Sequence, residues 1–332
     1  MNPKTSMQDI ADLLGISKNA VSLALNHKSG VSEELRTRIF EAADRLHYRT
    51  EPKHKKKQGS FLIFLPENER NDQIYDYEIF CAMEIRAKGL GYQAILCRVS
   101  NDMQDQLALP EIYREMVFHG LLIIGVLPIN YIRKLIELKL PIVTVDHYYE
   151  PVQLDAVVAA NAEDAYKLVA YLIEKGHKQI GFVGSITLTK KGKERWFGYQ
   201  QAMMDASLVV DMEKCMITDS SAEIDTQLAA MTSMPTAWFC TNDRIAISLI
   251  QLLTANGYKV PEDISIVGFD NIEAAALISP SLTTIQVNHE QLGLNAVDVL
   301  IRKIDDAAAP SKISIFGELI ERDSSQSISD FN

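Results

Sequence analysis

Between Ser6 and Asn26 the chain carries two apolar helical patterns, each too short to persist alone in water, joined by Gly15-Ile16-Ser17. Ser6 with Asp9 three residues on has the form of a capping box. Ile10, Ala11 and Leu14 share one helical face, Gly15 suits a helix end, and Ser17 suits the cap of the next helix. Two such helices need a third to bury their apolar sides. The segment from Ser32 to Leu46 supplies it, with Leu35, Ile39, Ala42 and Leu46 on one face. Residues 1–49 are expected to form an all-α head with a helix-turn-helix at its start.

From Tyr48 to Ser60 the apolar periodicity stops, and Pro52, the run Lys53-His54-Lys55-Lys56-Lys57 and Gly59 read as a basic linker over residues 50–60. Residues 61–332 then alternate short apolar runs with amphipathic segments. The runs begin at Phe61, Gln93, Leu121, Ile142, Ala156, Ile180, Cys215, Ala237, Ile264 and Thr284. Helical patterns fall between them near 75–89, 130–139, 162–175, 194–206, 243–256 and 290–304. Strands apolar throughout and separated by helices indicate parallel sheets covered on both faces, hence a doubly wound α/β body. Ten strands are many for one such sheet, so two lobes are expected.

Charge divides the chain in the same place. Residues 1–58 hold eleven Lys and Arg against seven Asp and Glu, whereas residues 59–332 hold 22 against 37. A basic head on an acidic body puts any nucleic-acid contact at the head, because the body repels phosphate. Cys81, Cys97, Cys215 and Cys240 have no CxxC spacing and sit in apolar context, which predicts reduced, buried thiols in a cytoplasmic protein. No apolar run is long enough to span a bilayer, and the first helix is polar and capped, so neither a membrane span nor a signal peptide is expected.

In a helix-turn-helix the first residues of the second helix reach base edges, which nominates Lys18 and Asn19. Asn can pair bidentately with adenine; Lys can donate to guanine or to phosphate. Ser22, Asn26, Lys28 and Ser32 are candidates for backbone contacts that fix register, and the helix-capping Ser6 and Ser17 are counted with them among the DNA-binding residues. The lysine run in the linker reads either as a solvated connector or as an arm that tracks phosphates.

For the body, open parallel sheets bind ligands outside the C-terminal ends of their strands. Asp146, Asn242, Asp243 and Asp270 stand at such ends, Asp243 also being placed to cap a helix. Arg195 lies early in the helix after the Ile180 run, where it can point into a cleft. Carboxylates, an amide and a guanidinium converging there suit the hydroxyls of a sugar. Phosphate-loop, GxSxG, HExxH and GxGxxG patterns are absent, and the seven histidines lack ligand spacing, so no catalytic centre, metal or cofactor is expected.

These residues also resemble a family, that of the lactose and galactose repressors. In the head the likeness runs through Ser6-x-x-Asp9-Ile10-Ala11, Gly15-Ile16-Ser17, Ala20 to Asn26, Gly30 to Ile39 and Leu46-His47-Tyr48. In the body it runs through Gly176 to Gly184, Arg195 to Tyr199, Thr241-Asn242-Asp243, Val260 to Asn271 and Pro280 to Thr284. The resemblance implies a homodimer reading a pseudo-palindromic operator, with a body like periplasmic sugar-binding proteins that clamps an effector between lobes. It also implies that Arg195, Asn242, Asp270 and Asp146 contact the effector, with Asn161 and the segment from Tyr75 to Tyr77 lining the same cleft. Two features depart from the family pattern. Leu23 stands where an arginine is usual, and the linker lacks the hinge sequence whose leucine wedges into the minor groove. The expected function is sugar-responsive repression; an activator or a corepressor-dependent regulator is the near alternative, and a sugar-acting α/β enzyme the distant one.

Overall fold

The computed structural model describes residues 6–25, 30–46, 48, 59–67, 73–306 and 309–328, the side chains of residues 44, 73 and 74 excepted. The chain divides into two compact units, Met1–Gln58 and Gly59–Asn332.

The first unit holds α1 (Met7–Leu14), α2 (Lys18–Leu25) and α3 (Glu33–Arg45). Each begins on a serine. Ser6 and Asp9 form a reciprocal capping box, Ser17 Oγ accepts the Ala20 amide at 3.2 Å, and Ser32 Oγ accepts the Leu35 amide at 3.3 Å. Gly15 closes α1 at φ 65°, a left-handed conformation that a β-carbon would penalise. Ile10 and Ala11 from α1, Val21 and Ala24 from α2, and Ile39, Ala42 and Ala43 from α3 make one buried core.

The second unit opens with β1 (Gly59–Pro66), α4 (Gln73–Gly89), β2 (Tyr92–Val99), α5 (Asn101–Asp105), α6 (Ile112–Glu115), β3 (Gly120–Ile124), α7 (Ile129–Ile136), β4 (Ile142–Val145) and β5 (Asp155–Ala159). It continues with α8 (Asn161–Glu174), β6 (Ile180–Val183), α9 (Lys190–Asp205), a 3-10 turn at Met212–Lys214, β7 (Cys215–Met216), α10 (Ser221–Ala230), β8 (Ala237–Cys240), α11 (Asp243–Ala255) and β9 (Ser265–Val267). It ends with α12 (Glu273–Leu277), β10 (Thr284–Gln286), α13 (His289–Asp305), β11 (Lys312–Ile315) and β12 (Glu318–Ile320).

Two parallel sheets result. The first lobe has the order β11-β5-β4-β3-β1-β2 and the second β7-β6-β8-β9, so each is doubly wound, with a change of winding direction at β1 and at β6. Strands β3, β4, β5, β6, β8 and β9 are buried at every position, which is why they read as unbroken apolar runs. The chain crosses between lobes after β5, returns through α13, whose side chains pack in the core with those of α4, and adds β11 beside β5. The Thr284 run departs from the parallel reading. It pairs antiparallel with β12 and meets the second sheet only through single bridges, leaving Gln286 exposed.

Cys215 and Cys240 are buried, Cys81 and Cys97 half-buried, and all four are free thiols. Among the described residues no helix is long and apolar enough to cross a membrane, and no cluster of side chains could hold a metal ion.

Candidate functional site

Six body positions were nominated by the sequence, and the C-terminal ends of the two sheets bring five of them to one cleft. Tyr75 follows β1, Asp146 follows β4 and Asn161 follows β5 on the first sheet; Arg195 follows β6 and Asp270 follows β9 on the second. The backbone bends sharply at two of these. Asp146 has φ 61° and Asp270 φ 107°, left-handed values that non-glycine residues seldom adopt and that cluster where side chains are aimed for function.

Arg195 is the organising group. It is 4% exposed, and its guanidinium lies 3.6 Å from the centre of the Phe269 ring. Nε donates to Asn161 Oδ1 at 3.0 Å, one terminal nitrogen donates to the Thr241 carbonyl at 2.5 Å, and the other pairs with Asp270 Oδ1 at 2.9 Å. Three of its five N–H donors are thereby used. This placement depends on Gly198. A β-carbon there would collide with the Ala162 carbonyl, so α9 lies close enough against the start of α8 for Arg195 to reach Asn161.

Opposite Arg195, the hydroxyl of Tyr75 and the carboxylate of Asp146 are buried against each other, with no other hydrogen-bond partner for the Tyr75 hydroxyl or for Asp146 Oδ1, and Nε2 of His289, whose ring packs 4.1 Å from that of Tyr75, has none. Unsatisfied buried polar atoms are uncommon, and here they converge. Burial, with the carboxylates of Asp146 and Asp270 adding to it, pushes the Tyr75 hydroxyl well above its ordinary range, so it is a fixed donor at neutral pH.

Asn242 has a different task. Its Oδ1 caps α11 by accepting the Ile245 amide at 3.0 Å, which fixes the side chain at the start of that helix. Asp243, also at a strand end, is fully buried behind it, accepting the Thr284 hydroxyl at 2.6 Å and the Ile272 amide at 2.9 Å. Burial and the neighbouring Asp270 raise its carboxyl to about 7.

Several cleft residues were not nominated. Lys191 pairs with Asp146 and lies over the Tyr75 ring, Glu194 accepts from Asn161 at 3.0 Å, and Lys190 bridges Glu150 and the Tyr148 carbonyl. These lysines carry α9 across the cleft to the first lobe. As a result the space left among Asp146, Asn161, Lys191 and Glu194 is only about 10 Å3. Beside it a cavity of about 520 Å3 opens between the lobes, lined by Arg133, Tyr149 and Ile129 on one side and Thr189, Lys193 and Phe197 on the other. That volume is in the range of small-ligand sites. His147 between the two spaces is held neutral, its pKa lowered to about 4 by burial and by Lys190.

In the head, Ser17, Lys18 and Asn19 are exposed at the start of α2, and Ser22 is half-buried one turn on. Ser6 and Ser32 are exposed but engaged as caps. Asn26, Lys28 and the lysine run of the linker lie outside the described residues.

A capped helix-turn-helix joined in one chain to a two-lobed body with a polar interlobe cleft defines a DNA-binding regulator with a periplasmic-binding-protein-like domain. Comparison with known proteins agrees. The sequence pattern described as "Bacterial regulatory proteins, lacI family" matches residues 6–51, and the "Periplasmic binding protein-like domain" matches residues 169–325. The HTH-type transcriptional repressor PurR of Actinobacillus pleuropneumoniae is 31% identical over 335 residues, covering 96% of this chain and 97% of that protein. PurR of Vibrio campbellii is 29% identical over 310 residues, covering 91% and 92%. Among solved structures, the regulator CelR in complex with cellobiose has a TM-score of 0.70 at 21% identity, covering 96% and 99%. The lac repressor dimer bound to operator and the anti-inducer ONPF has a TM-score of 0.67 at 20% identity, covering 98% and 100%. The chain belongs to the lacI family of bacterial regulatory proteins and is a DNA-binding transcription repressor.

Proposed function

We propose that operator affinity is controlled by a small carbohydrate or carbohydrate derivative held between the lobes, and that the working species is a cytoplasmic homodimer on a pseudo-palindromic operator. The observation that carries the effector reading is the convergence of Arg195, Asn161, Asp270, Asp146 and Tyr75 from both lobes on one cleft, with the Tyr75 hydroxyl and the Asp146 carboxylate buried against each other. Polar groups of fixed direction on both sides of a cleft match a ligand rich in hydroxyls, each of which donates one hydrogen bond and accepts others. Relatives of this fold whose structures contain cellobiose, ribose or glucose support the same class.

Tyr75 and Asp146 belong to one lobe and Arg195 and Asp270 to the other, so an effector contacting both favours one lobe arrangement. Operator affinity then shifts by the difference in effector affinity between arrangements, whatever the direction of that shift. In the head, Lys18 and Asn19 read bases while Ser6, Ser17, Ser22, Asn26, Lys28 and Ser32 set register on the phosphates. The organisation is a head over residues 1–49, a basic linker over 50–60 and an effector and dimerisation body over 61–332. No enzymatic step is assigned. The test is operator binding by the full chain measured against mono- and disaccharides, with nucleosides and nucleobases alongside. A saturable shift with a carbohydrate supports the reading; a shift only with a nucleobase or nucleoside refutes it.

A further inference from the structure

The charges around the interlobe cavity do not cancel. Lys191 pairs with Asp146, Lys190 with Glu150 at 3.1 Å and Lys312 with Glu194 at 3.5 Å, so each carboxylate at the cleft mouth has its own lysine. Two further cations line the same 520 Å3 cavity. Arg133 comes from α7 of the first lobe and Lys193 from α9 of the second. Neither makes a direct ion pair among the described residues; Lys193 rests over the Phe197 ring, 5.8 Å from its centre, and shares the field of the single Glu150 carboxylate with Lys190, which already pairs with it. His147, Tyr148 and Tyr149, which also line the cavity, are neutral at pH 7. The body as a whole carries 22 basic residues against 37 acidic ones, so an unmatched pair of cations in its cleft runs against its composition.

Two like charges, one on each lobe, oppose closure of the lobes over the cavity. An anion between them reverses the sign of that interaction. We propose that the effector carries an anionic group, phosphate or carboxylate, gripped between Arg133 and Lys193 while its hydroxyls face Arg195, Asp146 and Tyr75. This rests on the carbohydrate reading of the cleft and narrows it to acidic sugar derivatives. Arg133 and Lys193 are then the specificity-determining residues, and Lys191 is displaced from Asp146 or stays to line the inner end.

The experiment is calorimetric titration of the full-length protein with matched probes: glucose, glucose 6-phosphate and glucuronate, and ribose with ribose 5-phosphate. The proposal expects an anionic member to bind at least about tenfold tighter than its neutral parent, the scale of one charge-assisted hydrogen bond. That advantage should shrink as chloride rises. In Arg133→Gln/Lys193→Gln the ratio of anionic to neutral affinity should fall to about one, and Arg133→Lys/Lys193→Arg should restore it. Both side chains are exposed, so an unchanged melting temperature certifies the fold of the variants. A neutral sugar that binds as tightly as its anionic derivative overturns this proposal and leaves the carbohydrate reading standing, as does an anionic advantage that survives the double Gln variant. Binding of none of these probes overturns this proposal, and the carbohydrate reading falls with it if no mono- or disaccharide shifts operator binding.

Discussion

Arg195 shows how much of a binding residue's environment is structural. Its side chain is held by an amide, a carbonyl, a carboxylate and a ring face, so its removal leaves buried partners unpaired as well as taking donors from the ligand. Arg195→Ala should abolish the effector response and lower the melting temperature of the body by the equivalent of about 3 kcal/mol. Operator affinity measured well below the transition should be kept, because the head is a separate unit. An unchanged effector dissociation constant would move the site elsewhere. Asp243 supplies a pH dependence. Its carboxyl rises from the ordinary 3.8 to about 7 in the folded protein, so folding favours the protonated form. The associated stabilisation is complete below about pH 4 and is lost as the pH climbs through 7, because the unfolded chain there holds fewer protons than the folded one. The melting temperature should therefore fall between pH 5 and 8. Asp243→Asn should flatten that slope, since an amide can still accept the Ile272 amide hydrogen while donating to the Thr284 hydroxyl. A slope of equal steepness in the variant would show that another group titrates.

At the scale of elements, α9 decides the cleft, and its start was the hardest boundary to read. The pattern suggests a helix from about residue 194, yet α9 begins at Lys190 with Thr189 as its cap. Lysines at 190, 191 and 193 replace the acidic residues that usually mark a first turn, and the first two reach across the cleft to Glu150 and Asp146. Strands β11 and β12 escaped for another reason: they are short and partly exposed, and β11 owes its place to the return of α13. Asp146, Arg195 and Asp270 were legible because strand ends and helix starts locate them. The Thr241 carbonyl and the Phe269 ring carry no chemical signature in a sequence. Gly198 tests the role of α9. Gly198→Ala should force α8 and α9 apart at a cost of about 1–3 kcal/mol and weaken effector binding by misplacing Arg195 against Asn161. In the head, Ser17→Ala should lower stability by about 1 kcal/mol through loss of the α2 cap and weaken binding to all DNA alike. Asn19→Ala, exposed and uncapped, should leave the head's melting unchanged and cost about 1–3 kcal/mol only on the preferred operator. Equal losses on specific and random DNA for Asn19→Ala would refute base reading by that residue.

Across the whole molecule the charge division visible in the sequence coincides with the division into two units. Residues 1–58 carry the basic excess and the helix-turn-helix, and residues 59–332 carry both sheets, the cleft and the acidic excess. Phosphate neutralisation supplies most non-specific DNA affinity and makes it fall steeply with salt. An acidic body cannot supply that term and repels the duplex at low ionic strength. A fragment of residues 59–332 has its cores, its caps and all the cleft residues within itself, so it should fold and bind effector with the affinity of the full chain. It should show no operator binding at any salt concentration. The full chain should bind operator with a log–log salt slope of several units, reporting the phosphates engaged by the head and the basic residues that follow it. Operator affinity retained by the fragment would show that the body contacts DNA despite its charge, and the assignment of recognition to the head would have to be abandoned.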